Sequence, residues 1–259
     1  LIKARETNQP LVDFPDDSAP KSIAEAFAVQ DEILTLRGAE IVAWKVGPGS
    51  KEFPPTCAAI TRENLYTSPT QLSKSLRLKA VECEVAFRLA IDLPADEGPY
   101  NSSEVKAAIG TAMVAIEAVE TRYHQWPVKD PIWALADSQS NEALIIGDEI
   151  GLDKLEHFPD FQASLAIGKK VKAADKGFPG GDPFALIAWL AGHLSERDPL
   201  LSKRGLKKGD IITTGSWNGV DFANSQEKIS AVFEGLGHAE LQYNLSLIHI
   251  SEPTRLSTI

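Results

Sequence analysis

The segment Val81-Glu82-Cys83-Glu84-Val85-Ala86-Phe87 places two carboxylates inside a run of strand-forming apolar residues. In a strand, side chains at positions i and i+2 point to the same face, so Glu82 and Glu84 are predicted to lie side by side. Cys83 then faces the opposite side, where it packs as a small hydrophobe. Like charges held this close repel each other, and an unpaired buried carboxylate is costly. The segment therefore predicts a buried strand whose acidic face needs a compensating cation.

A third glutamate occurs in another apolar, strand-like segment, Met113-Val114-Ala115-Ile116-Glu117-Ala118-Val119. Three carboxylates suit a hard cation, Mg²⁺ or Mn²⁺, better than zinc. Such a site leaves about three of six octahedral positions open, and a 2-oxo acid could fill two of them with its carboxylate and keto oxygens. A metal held there would stabilise an enolate formed beside the keto carbon. The alternative is an exposed acidic strand face with Glu117 paired to a lysine.

Two cationic residues are further candidates for the same site. Lys45 follows Trp44 in an apolar segment, where it could act as general acid/base or hold an anionic substrate. The alternative is a lysine that extends along the apolar surface to solvent. Arg122 suits a bidentate grip on a substrate carboxylate, but an ion pair with Glu120 or Asp137 is equally open.

Two polar turns complete the candidate residues. Asp137-Ser138-Gln139-Ser140-Asn141 is a polar loop that either lines a site or makes a turn. Gly215-Ser216 ends the segment Ile211–Thr214, and its backbone N–H groups could approach a substrate closely, although glycine is also ordinary in turns. The sequence contains neither a G-x-x-x-x-G-K-[ST] phosphate-binding loop nor a G-x-S-x-G nucleophile motif.

Bulk composition narrows the class of protein and its compartment. Of the 259 residues, 43% are apolar, which is enough to bury a core. The net charge is −10 and there is no basic cluster, so the protein is not expected to bind nucleic acid or anionic membranes. Two cysteines make no disulfide framework, and no signal-peptide apolar region or membrane-length run occurs. The cysteine content fits a reducing compartment, so we expect a cytoplasmic protein.

Local patterns predict an α+β fold, because strands outnumber helices and do not alternate with them at βαβ spacing. A capping box at Ser22-Ile23-Ala24-Glu25 predicts a helix that ends at Gly38. Asp182-Pro183 predicts the start of a helix that runs to about Ser195. A third helix is predicted from Asn101 to Thr111, and residues 50–70 are predicted to form a long loop. Strands are predicted at residues 41–46, 82–90, 113–119, 143–147, 161–167 and 211–214, with one or two more within 228–241.

The expected domain organisation has three parts. Residues 1–70 form an N-terminal α/β segment, and residues 71–244 form the catalytic β-roll domain. Residues 245–259 are interpreted as a non-native tail, because Ser246 to Ser257 resembles translated vector sequence.

These segments, taken in order, resemble the 2-keto-4-pentenoate hydratase / 4-oxalocrotonate decarboxylase branch of the fumarylacetoacetate hydrolase superfamily. The resemblance runs from the N-terminal helix to about Asn244. It is carried by six stretches: Ala43–Gly47, Val81–Phe87, Ala115–Arg122, Ala136–Gly147, Asp182–Ala191 and Leu206–Ser216.

The resemblance implies a fold, a reaction and roles for residues. The fold would be the superfamily's mixed β-roll with a small N-terminal helical part. Glu82, Glu84 and Glu117 match ligands of a divalent metal, Mg²⁺ or Mn²⁺, and Lys45 matches the lysine assigned to proton transfer. The reaction would be addition of water to a 2-hydroxy-2,4-dienoate in aromatic-compound degradation, by a hydro-lyase that we expect to be a homo-oligomer.

The resemblance also reaches the loop that starts at Asp137, but the chain departs from the family there. Asp137 and Ser140 match positions of an Ala-Asp-Asn-Ala-Ser pattern, and we expect Asp137 to be catalytic and Arg122, Ser140, Gly215 and Ser216 to bind substrate. Ser138 stands where the family often has Asn, Gln139 stands where it has Ala, and Glu120-Thr121-Arg122 replaces the usual Asp-Ser-Arg. These changes affect the substrate side of the site more than the metal side.

Three alternatives to a hydratase remain open. Decarboxylation of a 4-oxalocrotonate-like diacid uses the same metal and enolate, and an extra cation facing the departing carboxylate would favour it. Hydrolysis of an acylpyruvate uses a histidine–carboxylate pair, and no histidine lies between Lys45 and Glu82, where it would be expected. The last alternative is a non-catalytic protein that keeps the fold. The presence of all three glutamates and of Lys45 argues against this alternative.

Overall fold

The computed structural model describes residues 1–12, 18–73, 76–155 and 158–244. The predicted non-native tail, residues 245–259, lies outside the described residues. The α-helices are α1 (Ile2–Thr7), α2 (Ile23–Arg37), α3 (Ser102–Ala108), α4 (Pro131–Ala136), α5 (Pro183–His193) and α6 (Pro199–Arg204). The strands are β1 (Ile41–Gly47), β2 (Thr56–Thr61), β3 (Leu65–Thr67), β4 (Thr70–Leu72), β5 (Ala80–Leu89), β6 (Ile109–Val119), β7 (Asn141–Gly151), β8 (Ala163–Ile167), β9 (Lys170–Ala173), β10 (Ile211–Thr213), β11 (Asp221–Phe222), β12 (Lys228–Phe233) and β13 (Gly237–Tyr243).

The helix boundaries follow the local signals in the sequence. The Ser22 hydroxyl accepts a hydrogen bond from the backbone N–H of Glu25 at 3.2 Å, and α2 ends at Gly38, whose φ of 55° lies in the left-handed region. Asp182 caps α5 by accepting from the N–H of Phe184 at 2.9 Å. Both predicted helices are confirmed.

Two mixed sheets form the body of the molecule. An eight-stranded sheet has the order β2-β1-β10-β5-β6-β7-β3, with β11 paired to β5, and a five-stranded sheet has the order β4-β13-β12-β8-β9. The pairs β1–β10, β3–β7 and β4–β13 are parallel, and the other pairs are antiparallel. The predicted α+β class with a mixed sheet is confirmed.

The larger sheet curls so that one face encloses a small core. Ile60 of β2 and Leu144 of β7, which lie near opposite ends of the strand order, belong to one packed cluster with Ala43, Ala86 and Met113. Each of Lys45, Glu84 and Glu117 lies two positions along its strand from a member of this cluster, so their side chains project from the same face. The other face packs against the helices and the second sheet. The enclosed face is therefore apolar at one end and charged at the other.

Two predictions about elements were wrong. Residues 50–70 are not one long loop, because Thr56–Thr61 forms β2, which pairs with β1, and Leu65–Thr67 forms β3, which pairs with β7. Their short, Thr-rich sequences show no clear period, so only the partner strands stabilise them. The third predicted helix ends early: α3 stops at Ala108, and Ile109 already belongs to β6, the central strand.

The predicted boundary near residue 70 falls between β3 and β4. Strands β1 to β3 share the large sheet with β5 to β7, while β4 joins the smaller sheet. The division into segments 1–70 and 71–244 stays a prediction. Across the described ranges, no helix is both long enough and apolar enough to cross a membrane.

Candidate metal centre

The three predicted glutamates meet at the charged end of the enclosed face. Strands β5 and β6 pair antiparallel with Glu82 directly opposite Glu117, and Glu84 follows on the same face of β5. One carboxylate oxygen from each lies within 4.8 Å of the others. Glu117 is 0% exposed and Glu84 2%, whereas Glu82 is only partly buried. The cluster therefore opens to solvent on the Glu82 side.

Neutral donors and one cation compensate part of this charge. Lys45 Nζ donates to both oxygens of Glu117, at 2.6 and 2.8 Å, and Asn141 Nδ2 donates to Glu117 Oε1 at 2.9 Å. Glu84 accepts from the Thr213 hydroxyl and from the backbone N–H of Gly215, the latter at 3.1 Å. Among the residues that the structure describes, the three carboxylates still outnumber the one lysine, Lys45, that contacts them.

The pKa values express this imbalance. Burial and, after it, the charge of Glu117 raise the pKa of Glu82 to about 6, although Lys45 and a hydrogen bond with Ser216 oppose the shift. Burial, followed by the charges of Glu117 and Glu82, raises the pKa of Glu84 well above its ordinary value. Burial by itself would lower the pKa of Lys45, but the three carboxylates outweigh it and the pKa is raised. The site thus favours added positive charge, either as protons or as a metal ion.

The donor set fits a hard divalent cation. Oxygen ligands from carboxylates are those preferred by Mg²⁺ and Mn²⁺, and the three converge without any thiolate or imidazole among them. The cluster is open to solvent next to Glu82, the side from which a substrate could reach an ion held there. Glu82, Glu84 and Glu117 are the residues that would hold the ion.

Lys45 does not extend to solvent, because its side chain is only 11% exposed and is paired with Glu117. The structure therefore combines both readings of Glu117: it lies in a carboxylate cluster and it also pairs with a lysine. A buried ammonium beside a metal site can donate or accept a proton or hold an anion.

A left-handed turn adjoins the lysine. Ser138, Gln139 and Ser140 have φ values of 53°, 53° and 61°, a conformation that costs about 1–3 kcal/mol for each non-glycine residue. The Gln139 carbonyl accepts from Lys45 Nζ at 3.3 Å, and Gln139 Nε2 donates to Thr56 Oγ1 at 2.5 Å. Gln139 Oε1 is buried and has no hydrogen-bond partner among the described residues. Ser140 is buried, and its carbonyl accepts from the N–H of Glu120.

Arg122 and Asp137 lie behind this turn and contact each other. Arg122 Nε donates to Asp137 Oδ1 at 2.5 Å, and Arg122 Nη1 donates to Glu142 at 3.1 Å. Both residues are 3% exposed. The ion-pair alternative with Asp137 is therefore the one observed, whereas Glu120 pairs with Arg77. The charged atoms of Arg122 and Asp137 thus contact each other, and their direct contacts with substrate stay a prediction.

Gly215 and Ser216 do lie at the carboxylates. The N–H of Gly215 reaches Glu84, and Ser216 affects the pKa of Glu82. A Cβ on Gly215, whose φ is 102°, would lie 2.9 Å from Pro179, so the loop before α5 approaches the turn closely here. The turn thus contacts two of the three carboxylates of the cluster.

Sequence reasoning missed three residues of this site, Thr56, Thr213 and Lys176, and it named Asn141 only as part of the polar loop that could line a site. Thr213 is the register neighbour of Lys45 across the β1–β10 pair, and the alternation of β10 could have indicated that it shares the face. Thr56 and Asn141 come from segments that no periodic pattern links to Glu117. Lys176 Nζ lies above Gly219, and its charge lowers the pKa of Glu82.

Comparisons with known proteins agree with this geometry. Residues 50–242 match the family described as fumarylacetoacetate (FAA) hydrolase C-terminal. A 2-hydroxyhexa-2,4-dienoate hydratase from Comamonas testosteroni is 25% identical over 94% of this chain and 94% of its own. A 2-keto-4-pentenoate hydratase from Paraburkholderia phymatum is 24% identical over 94% and 95%.

The fold also matches a solved structure. The 4-oxalocrotonate decarboxylase from Pseudomonas putida G7, complexed with magnesium and adipate, aligns with a TM-score of 0.79 and 21% identity over 93% of this chain and 94% of its own. This likeness establishes the fold. The three glutamates lie inside the family match, whereas Lys45 precedes it, so the assignment of Lys45 rests on its contacts.

Proposed function

The chain belongs to the fumarylacetoacetate hydrolase C-terminal family, and we propose that it is a divalent-metal-dependent hydro-lyase. Its substrate would be a 2-hydroxy-2,4-dienoate, and its product a 4-hydroxy-2-oxo acid. Relatives named as hydratases that align over nearly the whole chain support this reading.

One observation carries the proposal: a buried lysine is paired to the third member of a carboxylate cluster that opens to solvent. The cluster provides oxygen ligands for Mg²⁺ or Mn²⁺ at one end of an otherwise apolar enclosure. The lysine provides a proton carrier beside them. This combination suits chemistry that passes through an enolate.

The reaction requires two proton transfers and one addition. A metal held by Glu82, Glu84 and Glu117 would stabilise negative charge on the C2 oxygen of the substrate. Lys45 assists the transfers that protonate C5 of the dienol and convert its C2 hydroxyl to a ketone. Water then adds at C4, and its second proton ends at C3, so that the net change is the gain of one water molecule.

Other residues have supporting roles in the proposal. The Gly215 N–H and Ser216 orient Glu84 and Glu82 and border the substrate, and Ser140 belongs to the turn beside Lys45. Arg122 and Asp137 enter as the buried pair that supports this turn rather than as groups that touch substrate. We further propose that the protein is a cytoplasmic homo-oligomer in aromatic-compound degradation, an assembly that light scattering during size-exclusion chromatography would test.

The test is an activity assay with a matched pair of variants. Purified protein with Mg²⁺ should remove the ultraviolet absorbance of 2-hydroxypentadienoate or of longer-chain analogues. Glu82→Gln should abolish this activity together with the rise in melting temperature caused by Mg²⁺, because it removes a charged ligand. Glu97→Gln, on the exposed surface, is the control and should keep both. The proposal would be refuted if the absorbance of 2-hydroxypentadienoate and of every longer-chain analogue stayed unchanged.

A second candidate is decarboxylation of a related diacid. Lys176 favours it, since its ammonium group lies near the open side of the cluster and could attract a second carboxylate. The same assay with 4-oxalocrotonate and detection of CO₂ distinguishes the two reactions. CO₂ release from the diacid without hydration of the monoacid would favour the decarboxylase.

A further inference from the structure

The segment from Ser138 to Asn141 contacts both members of the Lys45–Glu117 pair. The Gln139 carbonyl accepts from Lys45 Nζ, and two residues later Asn141 Nδ2 donates to Glu117 Oε1. A single short turn therefore sets the position of the ammonium group and of the carboxylate that it contacts.

This turn does not adopt its conformation by local preference. Three consecutive non-glycine residues have φ values between 53° and 61°, in the left-handed region that L-residues avoid. Contacts from outside the turn must hold it. On one side, the Ser140 carbonyl accepts from the backbone N–H of Glu120, which directly follows β6.

On the other side, the side chain of Gln139 holds the turn to the sheet. Gln139 Nε2 donates to Thr56 Oγ1 at 2.5 Å, and Thr56 lies directly opposite Gly47 in the β1–β2 pair. Lys45 and Gly47 are on the same face of β1, because they are two residues apart. The contact between Gln139 and Thr56 thus ties the turn to the strand that carries the lysine.

We propose that Gln139 is a positioning residue for Lys45, acting through its contact with Thr56. An ammonium group has three N–H donors, and Lys45 directs two of them at Glu117 and the third at the Gln139 carbonyl. The carbonyl is the acceptor that is not shared with the carboxylate cluster. If Thr56 releases Gln139, the strained turn relaxes and this acceptor moves away.

This positioning role is specific to this chain, because the Ala-Asp-Asn-Ala-Ser pattern of the family has alanine where this chain has Gln139. Gln139→Ala is therefore expected to fold. Thr56→Val removes the hydroxyl at nearly constant volume, and Thr56→Ser retains it.

The first measurement does not depend on the substrate. Acylation of Lys45 by limiting acetic anhydride is quantified by peptide mass spectrometry relative to exposed Lys129. Gln139→Ala and Thr56→Val should each accelerate labelling of Lys45 about threefold to tenfold, as the loss of one hydrogen bond predicts. The double variant should be no faster than either single variant, because the two residues act through one contact. Thr56→Ser and the surface control Gln71→Ala should match the wild type.

The second measurement rests on the proposed function. With a dienol substrate, Gln139→Ala and Thr56→Val should lower kcat about tenfold or less, while KM and the Mg²⁺-induced rise in melting temperature stay unchanged. Unchanged labelling, additive effects in the double variant, or a rise in KM alone would overturn the positioning role. Wild-type protein that hydrates no dienol would refute the proposed function, and the labelling result would still decide the role of Gln139.

Discussion

At the scale of single residues, the site is a group of buried charges that do not balance. Glu84 and Glu117 are almost fully buried, Glu82 borders solvent, and Lys45 is the cation paired within the cluster. Burial and mutual repulsion raise the pKa values of Glu82 and Glu84, so the folded protein holds these groups in an unfavourable state. A divalent cation would relieve it, which links folding stability to metal binding.

Backbone strain in the turn Ser138–Ser140, next to Lys45, also lowers the stability of the folded protein. Ser138→Gly should raise the free energy of unfolding by about 0.5–1 kcal/mol, because glycine adopts a φ of 53° without steric cost and this gain exceeds the greater entropy of its unfolded chain. The melting temperature should rise by about 1–3 °C. Ser103→Gly, in α3, should lower it through helix propensity. Equal decreases in both variants would show that the turn is not strained.

At the scale of elements, close contact between the two sheets fixes the strands behind the carboxylates. β7 pairs with β6, which carries Glu117, and its Gly147 approaches the backbone of β13. A Cβ on Gly147 would lie 2.2 Å from the carbonyl oxygen of His238, so no larger residue fits without moving a strand. Strand separation at this point would disturb β6 and with it Glu117.

Gly147→Ala is accordingly expected to destabilise the protein by about 1–3 kcal/mol or more, since backbone atoms cannot yield as a flexible side chain can. A lower midpoint of urea unfolding would measure the effect. In Gly192→Ala, within α5, the added methyl group has no atom within 4 Å, and helix propensity predicts up to about 1 kcal/mol of stabilisation. A midpoint for Gly147→Ala as high as that of Gly192→Ala would contradict the close contact.

At the scale of the whole molecule, global stability should depend on pH and metal together. Between the ordinary pKa of 4.5 and the raised value of about 6, folded metal-free protein keeps a proton on Glu82 that the unfolded chain has lost. The free energy of unfolding therefore falls as pH rises through this window, and Glu84 extends the fall upward.

Mg²⁺ should reverse this loss, because it binds the deprotonated carboxylates. The Mg²⁺-induced rise in melting temperature is expected to be small at pH 5 and large at pH 7.5. Thermal unfolding followed by intrinsic fluorescence, with Mg²⁺ or with a chelator, measures it. An equal rise in melting temperature at both pH values would indicate that Mg²⁺ binds elsewhere. In Glu82→Gln, most of the difference between the rise at pH 7.5 and the rise at pH 5 should disappear.

Local signals in the sequence were enough for the capped helices and for the central strands of the large sheet. They were also enough to select Glu82, Glu84, Glu117 and Lys45, because a charged residue in an apolar strand is recognisable without any partner. Strands β2 and β3 were missed, since their short sequences show no alternation and form only against β1 and β7. The turn at Gln139 was visible as polar, but its left-handed backbone depends on outside contacts.

By itself, the sequence determined the α+β class, the acidic side chains of the carboxylate cluster and their separation along the chain, since these follow from residue type and local period. Only the tertiary structure decided that Glu117 lies opposite Glu82, that Arg122 pairs with Asp137, and that Gln139 and Thr56 hold the turn beside Lys45. The physical reason is that register, burial and hydrogen-bond partners arise between segments distant in the chain. A local sequence pattern does not indicate which distant residue will contact a given side chain.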